Sequence, residues 1–464
     1  MNISNIAQQI YTKILVIPTL NQNLIIEKID NWLTNQHHET IFVLNGYAGT
    51  GKTTVIAAMV NALKDNNIGV TLLAPTGRAA NVLSRYSHHA AYTIHKHIYR
   101  ERTNAQYQSS YSLSYNNSKE MVYIVDEASM LSDDASIGGG FGSGSLLSDL
   151  VKFVRSGTRC RLMLVGDNAQ LPPVGSDFSP ALDPSTMGYY ADVEYATMDE
   201  VVRQRGDSGI LFNATLIREM MAQGIYQKPI FDLNFPDIES LEGCDLTETI
   251  QDCYDKYGRD ETIIITRSNK RANRFNEGIR RYTTYAEERI ESGDIVMVVK
   301  NNYHYTERLK SPPTSFIANG DVARIEKIYR FEELYGFDFA DVRLSFADYN
   351  DFELRCKILL NTLASESPSL SRDESQRLFN EVEQDYTDIN SRIERFKQIR
   401  ENEHFNALQI KFAYSVTCHK AQGGQWRAVI IDRYLFGDEE MTLDLMRWLY
   451  TAITRATDKV YILT

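Results

Sequence analysis

The chain has 464 residues, a formal net charge of −12, and 24% charged against 43% hydrophobic residues, which is length enough for about three domains that each bury a core. That charge balance excludes a protein that coats duplex DNA through many Lys/Arg–phosphate contacts, while leaving room for a narrow basic track. No run is long and apolar enough to cross a bilayer, and the start Met-Asn-Ile-Ser-Asn lacks the basic-then-apolar layout of a signal peptide, so the expected location is the cytoplasm with no membrane partner.

Residues 40–45 are predicted to form a buried strand and residues 55–63 an Ala-rich helix. Between them stands GYAGTGKTT (46–54), the G-x-x-x-x-G-K-[ST] spacing on the strand-to-helix turn where a phosphate-binding loop must sit. Gly46, Gly49 and Gly51 let backbone N–H groups turn inward around phosphate oxygens, and the following helix adds the positive end of its dipole. Lys52 should reach the β- and γ-phosphates and the Thr53 hydroxyl a Mg²⁺ ion. The expected cofactors are therefore ATP and Mg²⁺, held by Gly46, Ala48, Gly49, Thr50, Gly51, Lys52, Thr53 and Thr54.

Runs at 69–74, 121–125 and 161–165 are apolar on both faces, as central strands of a parallel sheet should be. Residues 98–119 are rich in Tyr, Ser and Asn, with Tyr107, Tyr111 and Tyr115 among polar spacers, and suit a small inserted hairpin. YIVDEASM (123–130) is a strand ending in two acids: Asp126 is expected in the Mg²⁺ shell while Glu127 polarises water toward the γ-phosphate. The glycine-rich stretch 137–145 is expected to be a mobile loop, and it lacks the Lys-Thr/Ser that would make it a second phosphate site. Gly166-Asp-Asn-Ala-Gln170 places a neutral donor and acceptor, Gln170, beyond the next strand's carboxyl edge, where it can sense a terminal phosphate.

A second α/β unit begins near 195, with a strand at 262–266 and a helix at 269–282 that carries an Arg/Lys cluster; a solvated helix face accounts for that cluster as well as a binding surface does. Short strands at 294–299 and 321–329 and a charged, helix-favouring segment at 373–403 interrupt it, and the parallel pattern returns at 412–416, 428–432 and 460–463. The five cysteines (Cys160, Cys244, Cys253, Cys356, Cys418) form no C-x-x-C pair, so neither a zinc site nor a disulfide framework is expected.

In order along the chain, GYAGTGKTT, LLAPTGRAANVLS, YTIHKHI, YIVDEASML, VGDNAQLPPV, MDEVVRQR, YSVTCHKAQG and LYTAITRA resemble the motifs of superfamily 1 helicases, in particular the 1B branch with its RecD-like and phage Dda-like members. The resemblance spans most of the chain. It implies an α/β fold of two RecA-like P-loop motor domains: 1–194 with an inserted wedge-like hairpin at 97–120, and 195–321 with 411–464, interrupted at 322–410 by an SH3-like module and a charged helical arm. It also implies a monomeric ATP hydrolase that travels 5′ to 3′ on single-stranded DNA and unwinds duplex junctions, serving DNA replication, recombination or repair.

By the same resemblance, Arg203 and Arg455 are arginine fingers that reach the γ-phosphate from the second motor domain, and Gln22 reads adenine. Pro75, Thr76, Thr93, His95, Thr417, His419 and Lys420 correspond to positions that touch the single strand. Hydroxyls, amides and a few basic groups suit a track that holds phosphates without reading sequence and then lets go. Gly424-Gln425-Trp426 stands where many relatives have Ser-Glu, which puts ribose preference in question. Rival readings are an RNA-directed or protein-stripping translocase, and a nucleotide-gated binding module; intact Glu127, Gln170 and both arginines count against the latter.

Overall fold

The computed structural model describes residues 6–14, 17–103, 109–134, 142–202, 208–307, 309, 316–432 and 440–464. Its first sheet is built from β1 (Ile41–Gly46), β2 (Val70–Ala74), β3 (Ala91–Thr93), then, after a separate hairpin of β4 (Tyr99–Thr103) and β5 (Ser109–Leu113), from β6 (Val122–Val125), β7 (Arg161–Gly166) and β8 (Val193–Met198). The strand order is β3-β2-β6-β7-β1-β8, and the pairings are parallel. Every residue of β1, β6 and β7 is buried, because helices cover both faces of a parallel sheet and leave no solvent side to pattern. Val55, Met59, Val60 and Leu63 of helix Lys52–Asp65 belong to the core on one face, and Leu147, Leu150, Val151 and Val154 of helix Leu146–Ser156 to that on the other.

The order has one consequence for chemistry. Strands β6, β7 and β1 are adjacent, so the segments leaving their carboxyl ends converge at a single sheet edge. The hairpin pairs Tyr99 with Leu113 and is tied to the lobe by the Tyr99 hydroxyl, 2.8 Å from Asp149 Oδ2. Tyr107 lies outside the described residues, as do 137–141 of the glycine-rich stretch.

Downstream, the strands are β9 (Ile238–Leu241), β10 (Thr262–Thr266), β11 (Ile295–Val298), β12 (Val322–Leu334), β13 (Phe337–Phe346), β14 (Phe352–Leu359), β15 (Leu408–Phe412), β16 (Ser415–Thr417), β17 (Trp426–Asp432) and β18 (Ala456–Leu463). The second parallel sheet runs β16-β10-β17-β18-β9. The remaining five, β11 to β15, close into a barrel that begins at 295 and ends at 412, so its first and last strands flank the 322–410 segment. The run 412–416 divides between two bodies: Phe412 ends the barrel and Ser415 begins the sheet. At the corner, the Tyr414 hydroxyl donates to Asp294 at 2.9 Å and accepts from the Ile295 N–H at 3.3 Å. Tyr335 and Gly336, both with positive φ, make the two-residue turn between β12 and β13.

The charged segment forms two helices, Arg372–Gln384 and Arg392–Glu401, the first opened by a Ser371/Glu374 capping box. Three of its aliphatics, Leu378, Val382 and Ile399, are buried with Phe337, Phe339 and Leu359 of the barrel, while Ile393 is exposed.

Candidate functional site

The loop after β1 turns through two left-handed glycines, Gly49 (φ +76°) and Gly51 (φ +84°), a backbone course that a side chain would strain. Gly51 caps helix Lys52–Asp65, whose N-terminus therefore points into the loop. Close approach matters at Gly46, where an added Cβ would sit 2.6 Å from Lys52 Cγ; the lysine chain folds across that bare Cα. Lys52 Nζ is hydrogen-bonded to the Gly46 carbonyl and, at 3.0 Å, to that of Tyr47. Gln22 is 3% exposed: its Oε1 accepts from Thr19 N–H at 3.1 Å in a helix capping box, and its Nε2 donates to the Thr50 carbonyl at 3.0 Å. The expected adenine reader thus lies against the phosphate loop with both amide ends engaged.

Asp126 and Glu127 leave β6 beside this loop. Glu127 has φ +52°, and its N–H donates to Asp126 Oδ1 at 2.9 Å. Burial, and next the charge of Glu127, push the Asp126 carboxyl up to about 6, against the pull of the Glu127 N–H and Lys52. After β7, Asp167 and Gln170 are buried, and Gln170 Oε1 has no hydrogen-bond partner among the described residues. A buried acceptor without a partner is costly, which marks a group built to meet something else.

From the second lobe, Arg455 brings Nη1 to 3.7 Å from Glu127 Oε1. Its guanidinium is 5% exposed and fixed by the carbonyls of Thr451 (3.2 Å) and Gly424 (3.3 Å). Arg203 lies outside the described residues. Lys52, Asp126, Glu127, Gln170 and Arg455 are therefore set around one cleft between the lobes, with cation and carboxylate facing each other.

The other expected contacts occupy the same sheet edges. Thr76 and Thr93 cap helices Gly77–Ser87 and Ile94–Ile98, each accepting at 3.2 Å from the backbone N–H three residues on. Pro75 precedes the first of these caps. Thr417 ends β16 and caps the short helix Cys418–Ala421, which carries exposed His419 and half-buried Lys420. Gly423 (φ +72°) follows, and a Cβ there would lie 2.9 Å from Ala79 Cβ and 3.2 Å from Thr76 Oγ1, so the two lobes meet between these segments. Burial lowers the His95 imidazole to about 4, which leaves it neutral near pH 7, able to hydrogen-bond but adding no charge. Thr93 opens onto a groove of about 930 Å³ that runs between the first lobe, the second sheet and the barrel, with Arg78, Lys96, Arg259, Arg324 and Trp426 among its walls. Arg78 stacks 3.9 Å above Trp426 and donates to the Gln425 carbonyl at 3.2 Å, so it is the backbone of Gln425 that joins the lobes.

Comparison with known proteins places these elements. Residues 31–227 match a family described as an AAA domain and residues 412–463 a UvrD-like helicase C-terminal domain, together taking in both lobes of the cleft. The chain is 32% identical over 134 residues to the ATP-dependent RecD2 DNA helicase of Deinococcus radiodurans, covering 29% of this chain and 16% of that one. It is 27% identical over 307 residues to the ATP-dependent DNA helicase dda of Enterobacteria phage T4, covering 62% of this chain and 63% of that one. A Pif1 helicase from Bacteroides, solved in complex with ADP-AlF3 and ssDNA, aligns over 96% of this chain and 92% of its own at 13% identity and a TM-score of 0.47. With an AAA domain and a UvrD-like helicase C-terminal domain in that order, the chain is similar to superfamily 1B helicases of the RecD and Dda kind. Both of these sequence relatives carry the description ATP-dependent DNA helicase.

Several residues that join the lobes escaped notice in the sequence. Leu171 donates its N–H to Thr451 Oγ1 at 2.9 Å and accepts from Gln422 Nε2 at 2.6 Å, while Tyr450 reaches both Ala48 and Asp167. All sit inside recognised motifs. Their signal was position within a motif, masked because an aromatic or threonine on an apolar helix reads first as core.

Proposed function

We propose that this chain is a helicase that hydrolyses Mg²⁺-ATP in the cleft between Lys52 and Arg455 and converts each turnover into a step along single-stranded DNA, 5′ to 3′, separating duplex at a junction. The observation that carries the reading is the approach of Arg455, from the second lobe, to Glu127 of the first at 3.7 Å. An arginine held there neutralises charge that develops on the transferring phosphoryl group and makes hydrolysis depend on the lobes being together. Lys52 takes the terminal phosphates, Glu127 orients the attacking water, and the open Gln170 Oε1 accepts a hydrogen bond from that water, while its amide NH2 is the group able to donate to the γ-phosphate.

Asp126 and the Thr53 hydroxyl fit a divalent cation: a desolvated carboxylate repelled by its neighbour gains from a nearby positive charge. Bound there, Mg²⁺ would neutralise phosphate charge during hydrolysis. On the nucleic-acid side, Pro75, Thr76, Thr93, His95, Thr417, His419 and Lys420 are assigned to the strand, with Arg203 as a second finger and Gln22 at the base. The 5′ to 3′ sense rests on similarity to the 1B branch, and so does service in replication, recombination or repair.

The test is strand separation of matched 5′-tailed and 3′-tailed duplexes with Mg²⁺-ATP. The expected result is unwinding of the 5′-tailed substrate, lost in Lys52→Ala; unwinding by Lys52→Ala at the wild-type rate would overturn the motor, and a 3′-tail preference would overturn the polarity. Matched DNA and RNA oligonucleotides in an ATPase assay decide the strand type.

A further inference from the structure

Tyr450 lies in helix Leu443–Ile453 of the second lobe and is 1% exposed, yet its hydroxyl sits at the phosphate loop of the first. That oxygen accepts the Ala48 N–H at 2.9 Å, and its own proton goes to Asp167 Oδ2 at 2.8 Å. Burial and the Asp167 charge hold the phenol well above its ordinary pKa, so it remains a donor at every working pH. Asp167 is itself 1% exposed, and its Oδ1 is occupied by the Ala169 N–H at 3.0 Å. The same segment of the second lobe supplies Thr451 to the Leu171 N–H and, just beyond the helix, Arg455 to Glu127. Phosphate loop, Gly-Asp-x-x-Gln segment and catalytic carboxylate are thus all gripped by one short stretch of the far lobe.

An amide N–H has one proton to give. Ala48 lies within the turn whose backbone donors cradle phosphate, so an entering phosphate oxygen and the Tyr450 hydroxyl draw on the same donor. We propose that Tyr450 is a positioning residue that competes with nucleotide phosphate for the Ala48 N–H, so that phosphate arrival frees the segment bearing Arg455 from the loop. Asp167 lets the exchange proceed without stranding a buried hydroxyl: on yielding the Ala48 N–H, Tyr450 still donates to a carboxylate. The inference rests on the ATP-binding reading of the loop and adds to it the means by which the two lobes register occupancy.

Tyr450→Phe in the full chain keeps the ring and removes the competing oxygen, together with the bond to Asp167 that is present with or without phosphate. Binding of a fluorescent non-hydrolysable ATP analogue with Mg²⁺ is then expected to tighten by about five- to tenfold, the scale of one buried hydrogen bond. The ratio of DNA-stimulated to basal kcat should fall, because occupancy no longer changes what holds the helix. A residue that merely braces the cleft would give the opposite sign, with weaker analogue binding and an unchanged stimulation ratio. Thermal melting supplies a second measurement: Tyr450→Phe should melt below wild type without nucleotide, and the gap should narrow at saturating analogue to what the lost bond to Asp167 leaves. A dissociation constant that is unchanged or raised, or a melting gap that does not narrow at saturation, overturns the proposal. Failure of the ATP reading itself would look different, since wild type would then bind no analogue and Lys52→Ala would change nothing.

Discussion

Arg455→Ala tests the seam between the lobes most directly. The guanidinium stands 3.7 Å from Glu127, beside the place where phosphoryl charge would develop, and an arginine finger acting there is worth about 10³ in rate, or about 4 kcal/mol. If Arg455 supplies that term only as charge develops on the phosphoryl group, DNA-stimulated kcat should fall by about 10³ while the dissociation constant of a non-hydrolysable ATP analogue changes by less than about threefold. Arg455→Lys should recover only part of the loss, because an ammonium cannot also satisfy the carbonyls of Thr451 and Gly424 that aim the guanidinium. The assay is steady-state ATP hydrolysis with saturating single-stranded DNA, alongside a melting curve to show that the buried arginine is not required for folding. An Arg455→Ala enzyme within tenfold of wild-type kcat would refute the reasoning.

Gly51→Ala places a methyl group at φ +84° and 2.6 Å from Gln22 Nε2, so analogue binding should weaken by at least about tenfold; trimming the obstacle with Gln22→Ala should not restore it, because the backbone strain remains. Asp321 is 2% exposed and pushed up to about 7, chiefly by burial, so its stabilising contribution is complete below about 4 and is lost as pH rises through about 7. Asp321→Asn should therefore gain on wild type in melting temperature between pH 5 and pH 8, and a difference independent of pH would sink that assignment. Leu378→Ala opens a cavity between the helical arm and the barrel and should cost about 2–3 kcal/mol in urea denaturation with basal ATPase unchanged; a loss of basal ATPase would tie the arm to the motor.

What could be read from the chain alone follows how local each signal is. The turn at 46–54 and the acids at 126 and 127 were legible because strand, glycines and helix lie within a few residues of one another. The strand at 262–266 and the helix at 269–282 came through for the same reason. The barrel was only half visible: β11 is a short apolar run and β15 (LQIKF) only five residues long, and both read equally well as sheet strands until their antiparallel partners are known. The Ala413-Tyr414 corner carries no glycine or proline to announce the change of body. Tyr450 was illegible for a deeper reason. Its role depends on a donor 402 positions away, and nothing in local periodicity encodes that encounter.

Leu171 has both its backbone groups taken by the opposite lobe, its N–H by Thr451 and its carbonyl by Gln422, one residue past Gln170. One residue giving a donor and an acceptor to the far lobe fixes the register of the seam beside Gln170, so any change in how the lobes close is felt first at that glutamine.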